Sequence, residues 1–180
     1  MLKQKIPYRY TKTELKELLN SLTVLIDTRE KKNNHIKKYF SSKGINYKSK
    51  KLDFCDYSFM LPENPELDIQ RDIYFNNEIA IERKRSLKEL SGTLTKRRQQ
   101  FKNELIRGNN SKIILLVEEG SGYQKIINHY YDTKFKPKSY LASLLTFKNR
   151  YDLRIEFISQ DLTGTLIHNE LKYYLREYLK

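Results

Sequence analysis

The chain has 180 residues, 38% hydrophobic and 12% aromatic, which is enough for one domain with its own core and is not a composition that suggests disorder. Thirty-five Lys and Arg against 22 acids give a net charge of +13, a field that favours polyanions: nucleic acid first, an anionic membrane second, beside the simpler reading of lysines kept for solubility. Cys55, the single cysteine, excludes an intrachain disulfide and a Cys-rich zinc cage, and no apolar run approaches the ~20 residues that span a bilayer. The basic N-terminus, "MLKQKIPYRYTK", lacks the apolar stretch of a signal peptide, so an intracellular, cytoplasmic protein is expected.

Thr11-x-x-Glu14 fits a capping box, and Leu15, Leu18, Leu19 and Leu22 follow at helical spacing. "LTVLIDT" (22–28) reads as a buried strand reaching Asp27. Residues 30–44 form a polar helix with Ile36, Tyr39 and Phe40 inward and Gly44 as its stop. "INYKSKKL" (45–52) alternates as a strand does, and "DFCDYSFML" follows it. After a Pro-containing loop, "RDIYF" and "EIAIERK" flank Asn76-Asn77. Two asparagines tolerate positive φ, so a two-residue hairpin is predicted there. Ser86-x-x-Glu89 is a second capping box, opening a helix directly off the preceding strand.

"TKRRQQFKNELIRG" is a further helix closed by Gly108, and "SKIILLVEE" a buried strand whose last residues, Glu118 and Glu119, read as solvated. "YQKIINHYY" is a short helix, and residues 137–150 a longer one with Pro137 in its first turn. "LRIEFIS" is the last strand. The final helix carries the stripe Leu162, Leu166, Ile167, Leu171, Tyr174, Leu175 and Tyr178, and its tyrosines read as core and dimer surface. Clustered strands followed by strand–helix alternation predict an α/β fold with a mixed central sheet flanked by helices. Residues 1–21 form an N-terminal extension with a short helix and residues 22–180 one domain.

In "IAIERK" (79–84) Glu82 and Lys84 share one face of a strand, while Ile79, Ile81 and Arg83 take the other. An acid and a lysine so placed serve a metal-dependent phosphodiesterase, and equally describe a salt-bridged surface strand. Three acids, Asp27, Asp56 and Glu82, sit at strand ends or tight turns. Phosphodiester cleavage with Mg²⁺ needs such hard oxygen ligands, and a lysine to orient water or hold the phosphate. Between Arg85 and Lys112 stand eight basic residues against two acids, +6 of the net +13 in 28 residues directly after the ERK triplet. Lys96, Arg97, Arg98 and Lys102 within it are candidate DNA contacts, and Arg98 shares the helical face of Leu94, Phe101 and Leu105, which aims it at the sheet and the cleft. His35, His129 and His168 are scattered and read as surface residues.

"IDTRE" (26–30), "LDFCDYS" (52–58), "IAIERK" (79–84) and "SLKELSGTL" (86–94), in this order, resemble the XPF-type nuclease domain, the excision-repair branch of the PD-(D/E)xK superfamily, in the short form carried by phages and bacteria. The resemblance covers about residues 22–175. It implies a restriction-endonuclease-like fold and a DNA endonuclease acting on branched or flapped DNA in repair or recombination, using Mg²⁺, with Mn²⁺ able to substitute. It further implies metal ligation by Asp27, Asp56, Glu82 and the backbone carbonyl of Arg83, with Lys84 catalytic and Arg29 and Glu30 lining the same cleft. It also implies a homodimer, a nucleoid-associated location and a separate targeting or helicase protein. The other reading is a catalytically silent DNA-binding module on the same fold. Two positions depart from the pattern. Cys55 stands where the family has glycine, so its backbone must take the turn with a side chain. Lys88 stands where the family tends to place Asp, leaving Glu89 to replace that acid or to serve only the Ser86 cap.

Overall fold

A computed structural model describes residues 10–180, so the first nine residues of the basic N-terminal stretch lie outside it. Helix α1 (Lys12–Ser21) begins at the expected capping box, in which Thr11 and Glu14 each accept the other's backbone N–H. Strand β1 (Thr23–Ile26) leads into α2 (Asn34–Ser42), which ends near Gly44, whose φ of 63° a residue with a Cβ would resist. Then come β2 (Asn46–Ser49), β3 (Tyr57–Leu61), a 3₁₀ turn over Pro65–Leu67, β4 (Ile73–Tyr74) and β5 (Ile79–Lys84). Helices α3 (Leu87–Leu94) and α4 (Arg98–Arg107) precede β6 (Lys112–Glu118). The chain finishes with α5 (Gly122–Ile127), α6 (Pro137–Arg150), β7 (Arg154–Ile158) and α7 (Thr163–Tyr178). Among the described residues no helix is long and apolar enough to cross a membrane.

The strands form one mixed seven-stranded sheet in the order β2-β1-β3-β5-β6-β7, with β4 beside β3. β1 runs parallel to β2 and antiparallel to β3, whereas β5, β6 and β7 are parallel. Strand alternation separates two cores. One face buries Val24, Ile26, Phe59, Ile81 and Leu116 against Leu18 of α1, Ile36 and Phe40 of α2, and Ile167, Leu171 and Leu175 of α7. The other packs Ala80, Leu115 and Val117 under Leu90 and Leu94 of α3, Phe101 and Leu105 of α4, and Tyr140, Leu144 and Phe147 of α6. A helix-flanked mixed sheet is the architecture that the strand and helix pattern predicts.

The hairpin expected at Asn76-Asn77 does not form. β4 and β5 both pair with β3, through Met60–Tyr74, Leu61–Ile73 and Tyr57–Ile81, so they lie along one edge instead of folding back on each other. The cause is Phe75. Its ring is buried and stacked on Phe59 with centroids 4.4 Å apart, and its N–H donates to the Phe59 carbonyl. The Phe75 carbonyl in turn accepts from the N–H groups of Glu78 and Ile79, which closes the two asparagines into a tight turn between β4 and β5. Tyr174 and Tyr178 of α7 meet the same Phe75 ring edge-on, so these tyrosines serve the core; Tyr173 is the one that stays exposed.

Candidate active site

Strand β5 ends in the triplet Glu82-Arg83-Lys84, all three buried, with Lys84 only 7% exposed. Arg83 goes to the α2 side of the sheet. There its guanidinium donates to Glu118 Oε1 at 2.8 Å, Glu30 Oε1 at 2.9 Å and the Lys32 carbonyl at 2.7 Å. Glu118 also meets His35 Nε2 at 2.7 Å. The expectation that Glu118 is solvated therefore fails, because a buried guanidinium requires a counter-charge. His35 is half-buried in the same network instead of a plain surface residue. Glu119, by contrast, keeps to the rim in an ion pair with Lys125.

Glu82 and Lys84 emerge on the opposite face, hydrogen-bonded to each other, with the Lys84 ammonium 5.6 Å from the centre of the Phe101 ring. Asp56 arrives from the turn before β3. Its N–H donates to the Ile81 carbonyl and its Oδ2 accepts the Arg83 N–H at 2.8 Å, which fixes it beside the ERK triplet. The turn is made by Cys55 at φ 59°, the left-handed region that the missing glycine would enter freely. That conformation costs about 1–2 kcal/mol for a residue with a Cβ. The Cys55 N–H donates to Glu104 Oε1 at 2.9 Å, and its side chain is buried in the α3–α4 core. Asp56 keeps its place, as a small backbone adjustment predicts.

These residues open into a polar cleft of about 270 Å³, lined also by Arg29, Glu30, Glu89, Arg97, Gln100 and Glu104. Burial and the neighbouring Glu82 push the Asp56 carboxyl well above its ordinary range. Burial likewise raises Glu82 to about 6, against the opposing pull of Lys84. For Lys84 the balance reverses: burial opposes its charge, but Glu82 and Asp56 outweigh burial and hold it protonated. Oε2 of Glu82 is buried with no hydrogen-bond partner.

Other expected residues fall elsewhere. Both oxygens of Asp27 are engaged: Oδ1 by the N–H and Nε of Arg29, Oδ2 by Arg29 and by the Leu52 N–H at 2.7 Å. Asp27 is 1% exposed and is not brought into the cleft lining. Of the four basic candidates on and before α4, Arg97 lines the cleft. Lys96 borders a separate hollow and Lys102 is half-buried within α4. Arg98, expected to reach the cleft, lies over Phe147 at 4.7 Å and donates to the Leu94 carbonyl, because that apolar face turns toward α6. Lys88 is exposed and pairs with Asp132. Ser86 Oγ accepts the Glu89 N–H and so caps the helix, but the Glu89 carboxylate accepts the Arg85 N–H and Nε and not the Ser86 N–H, so the second half of the expected capping box does not form. Glu104 is the cleft acid that the sequence reading passed over. Its signal was the helical spacing of Arg97, Gln100, Phe101 and Glu104 on one face of α4.

Among the described residues no three metal-ligating side chains converge as a ready cage. Mg²⁺ does not require one, since it is usually held by one or two carboxylates with water and phosphate completing an octahedron. Asp56 with one free oxygen and Glu82 with an orphaned one fit that habit.

A model of the ERCC4 domain matches residues 26–169, most of the chain, and the protein belongs to this family, the XPF-type nuclease domains. Among solved structures, XPF from Aeropyrum pernix superposes with a TM-score of 0.60 at 17% identity, covering 86% of this chain and 65% of that one. The same protein in complex with DNA gives 0.58 at 16% identity over the same shares. The present chain thus spans about two-thirds of the length of the structures it matches. Curated protein sequences give no match.

Two carboxylates desolvated side by side oppose folding when no cation is present. Asp56→Asn should therefore raise the melting temperature of the metal-free protein near pH 7 by about 2–4 °C, the shift given by ~1 kcal/mol in a chain of this size. The Asn carbonyl can still accept the Arg83 N–H. Calorimetry in chelator checks it, and an unchanged or lower melting temperature refutes the repulsion argument.

Proposed function

We propose that this protein is a divalent-metal-dependent DNA endonuclease centred on Asp56, Glu82 and Lys84. The observation that carries the reading is the orphaned Oε2 of Glu82, buried beside a second desolvated carboxylate and a charged lysine. Such an arrangement is unfavourable in itself and becomes favourable around a cation. Membership of the ERCC4 domain family supports nuclease chemistry, and the DNA complex of the Aeropyrum protein supports DNA as the substrate. The family's association with branched or flapped DNA makes those the substrates to test. The rival reading, a silent DNA-binding module, is disfavoured because Asp56, Glu82 and Lys84 are all present and converge on one cleft.

Asp56 and Glu82 would hold the ion, with the Arg83 carbonyl as a further candidate ligand. Mg²⁺ or Mn²⁺ so held would lower the pKa of a bound water and screen charge on the phosphate. Against burial, Glu82 and Asp56 favour the charged form of Lys84, which as a donor would hold a non-bridging phosphate oxygen and orient the attacking water. Arg97 and Gln100 reach the cleft from α4, where they meet the backbone of the strand being cut. Asp27 takes a scaffolding part, tying Arg29 and Leu52 to the end of β1.

Linear, flapped, splayed-arm and four-way DNAs incubated with Mg²⁺ or Mn²⁺ should be cut, the branched forms best. Glu82→Gln should abolish cleavage. Lys84→Ala should lower single-turnover cleavage by ~10²-fold or more while binding in Ca²⁺ persists. Lys84→Arg should not restore it, because a planar guanidinium does not replace a compact ammonium. Equal rates for wild type and both lysine variants would reduce "IAIERK" to a salt-bridged strand end.

Binding should also depend steeply on salt. With about four phosphate contacts from the Arg85–Lys112 stretch, the log–log slope should be on the order of −3 to −4. Replacing Lys96, Arg97 and Lys102 together by Ala should flatten it, and an unchanged slope would move the footprint elsewhere. The proposal extends to a homodimer, resting on the family's pairing of nuclease domains and the exposed Tyr173. Light scattering that finds a monomer at micromolar concentration, with and without DNA, removes that extension.

A further inference from the structure

The cleft side of the sheet is covered unevenly. Over β5, β6 and β7 it lies beneath α3, α4 and α6, but over β1 and β3 it carries a separate island of three residues, Leu25, Leu52 and Met60, to which no helix contributes a buried side chain. Strand register puts Lys48 beside Leu25 and Tyr74 beside Met60, and Lys50, two residues on, takes the same side as Lys48. Both ammoniums lie over the Tyr74 ring, Lys50 Nζ at 4.6 Å and Lys48 Nζ at 5.6 Å from its centre. Tyr74 is 41% exposed, and its hydroxyl donates to Asp72 at 3.4 Å. Among the described residues neither lysine has an acidic partner within ion-pair distance. Two like charges gathered on one aromatic face repel each other, and an incoming anion relieves that repulsion.

The patch is also joined to the cleft. The Lys50 N–H donates to the Ile26 carbonyl and the Leu52 N–H to Asp27, while the Leu52 carbonyl accepts from Arg29, which lines the cleft. Along β3, Tyr57 pairs with Ile81, next to Glu82, and Met60 pairs with Tyr74. Those levels are three strand residues apart, about 10 Å.

We infer that the surface of this helix-free half of the sheet, formed by Lys48, Lys50 and Tyr74, is a second nucleic-acid site, which grips one unpaired DNA strand as it leaves the cleft. The inference rests on the endonuclease reading for the identity of its ligand. The strand's phosphates draw Lys48 and Lys50 off the ring, and a base stacks on the Tyr74 face they vacate. A single strand fits better than duplex, because only an unstacked base offers a face to an aromatic platform. A membrane surface fits poorly, since Leu25, Leu52 and Met60 are themselves buried and offer nothing to insert.

The test compares splayed-arm and blunt duplex DNA of equal length in Ca²⁺, for the full chain and for Lys48→Ala/Lys50→Ala, Tyr74→Leu and Tyr74→Phe. The double variant and Tyr74→Leu should weaken splayed-arm binding by about tenfold while blunt duplex stays within about twofold, and Tyr74→Phe should match wild type. 5-Bromodeoxyuridine placed in the unpaired arm should photocrosslink to Tyr74. Equal loss on both DNAs, no loss on either, or crosslinks that avoid residues 48–50 and 74 overturn the inference. Competition by polyglutamate as strong as that by an equally charged oligothymidine reassigns the patch to acidic protein and overturns it too. A wild-type chain that binds no DNA overturns the endonuclease reading itself; one that cuts DNA while the variants behave like it overturns only this second site.

Discussion

The arrangement of this molecule depends on where the Arg83 side chain goes. A guanidinium cannot be left alone in an apolar interior, and here it is wholly buried between Glu30 and Glu118, with the Lys32 carbonyl as a third acceptor. Alternation along a strand then leaves no choice for its neighbours: with Arg83 pinned to the α2 side, Glu82 and Lys84 must face the other way. The same residue's N–H holds Asp56. One ion-pair cluster thus orients Asp56, Glu82 and Lys84, the three groups at the centre of the proposed site. It also joins the ends of β5 and β6 to the loop after β1, elements up to 88 residues apart in sequence, from Glu30 to Glu118. Removing any one partner would strand a buried charge, so the cluster is hard to vary in pieces.

The second constraint is a backbone one. The turn before β3 is left-handed at Cys55, a conformation that favours glycine. Its cost is offset locally by a fully buried thiol-bearing side chain and by the N–H bond to Glu104. Burial, with Glu82 and Glu104 close by, pushes the Cys55 thiol well up, so it is inert packing and not a nucleophile. The bond to Glu104 also answers how α4 finds its orientation over the cleft: its acid is anchored to the turn, while Gln100 and Arg97, the latter held by Thr93 Oγ1 and the Glu89 carbonyl, line the cleft beside it.

Much of this was legible because it is local. Period-2 alternation in "IAIERK" separates Arg83 from Glu82 and Lys84, a capping box opens α1, the Ser86 hydroxyl caps α3, and Gly44 closes α2. What failed was non-local. Nothing around Asn76-Asn77 says that Phe75 will stack on Phe59 and keep the chain on one edge of β3. Glu118 looks solvated until a buried arginine 35 positions earlier claims it. Arg98 was placed correctly on its helical face, but that face turned out to meet Phe147 and not the cleft. The partners of Asp27, which does sit at the expected strand end, were equally unreadable: the distant Leu52 N–H and the Arg29 side chain engage its oxygens. In each case the deciding partner lies on another element, and spacing within one segment carries no record of it.

A chain with a net charge of +13 nevertheless gathers Glu30, Asp56, Glu82, Glu89 and Glu104 into one cleft. Three of these acids are answered inside the protein: Glu30 by Arg83, Glu89 by Arg85, Glu104 by the Cys55 N–H. Asp56 and Glu82 are the two whose carboxyls burial pushes up, and Lys84 satisfies only one oxygen of the pair. The residual mismatch is therefore confined to two adjacent side chains, while the surrounding positive field still attracts a polyanion. That division has a physical logic. Unpaired acids spread around the cleft would repel a phosphate backbone, whereas Glu30 and Glu89, each ion-paired with an arginine, do so much less. Only the two left over lack a fixed counter-charge, and on the endonuclease proposal a cation bound there would stand beside Lys84, where a phosphate would approach.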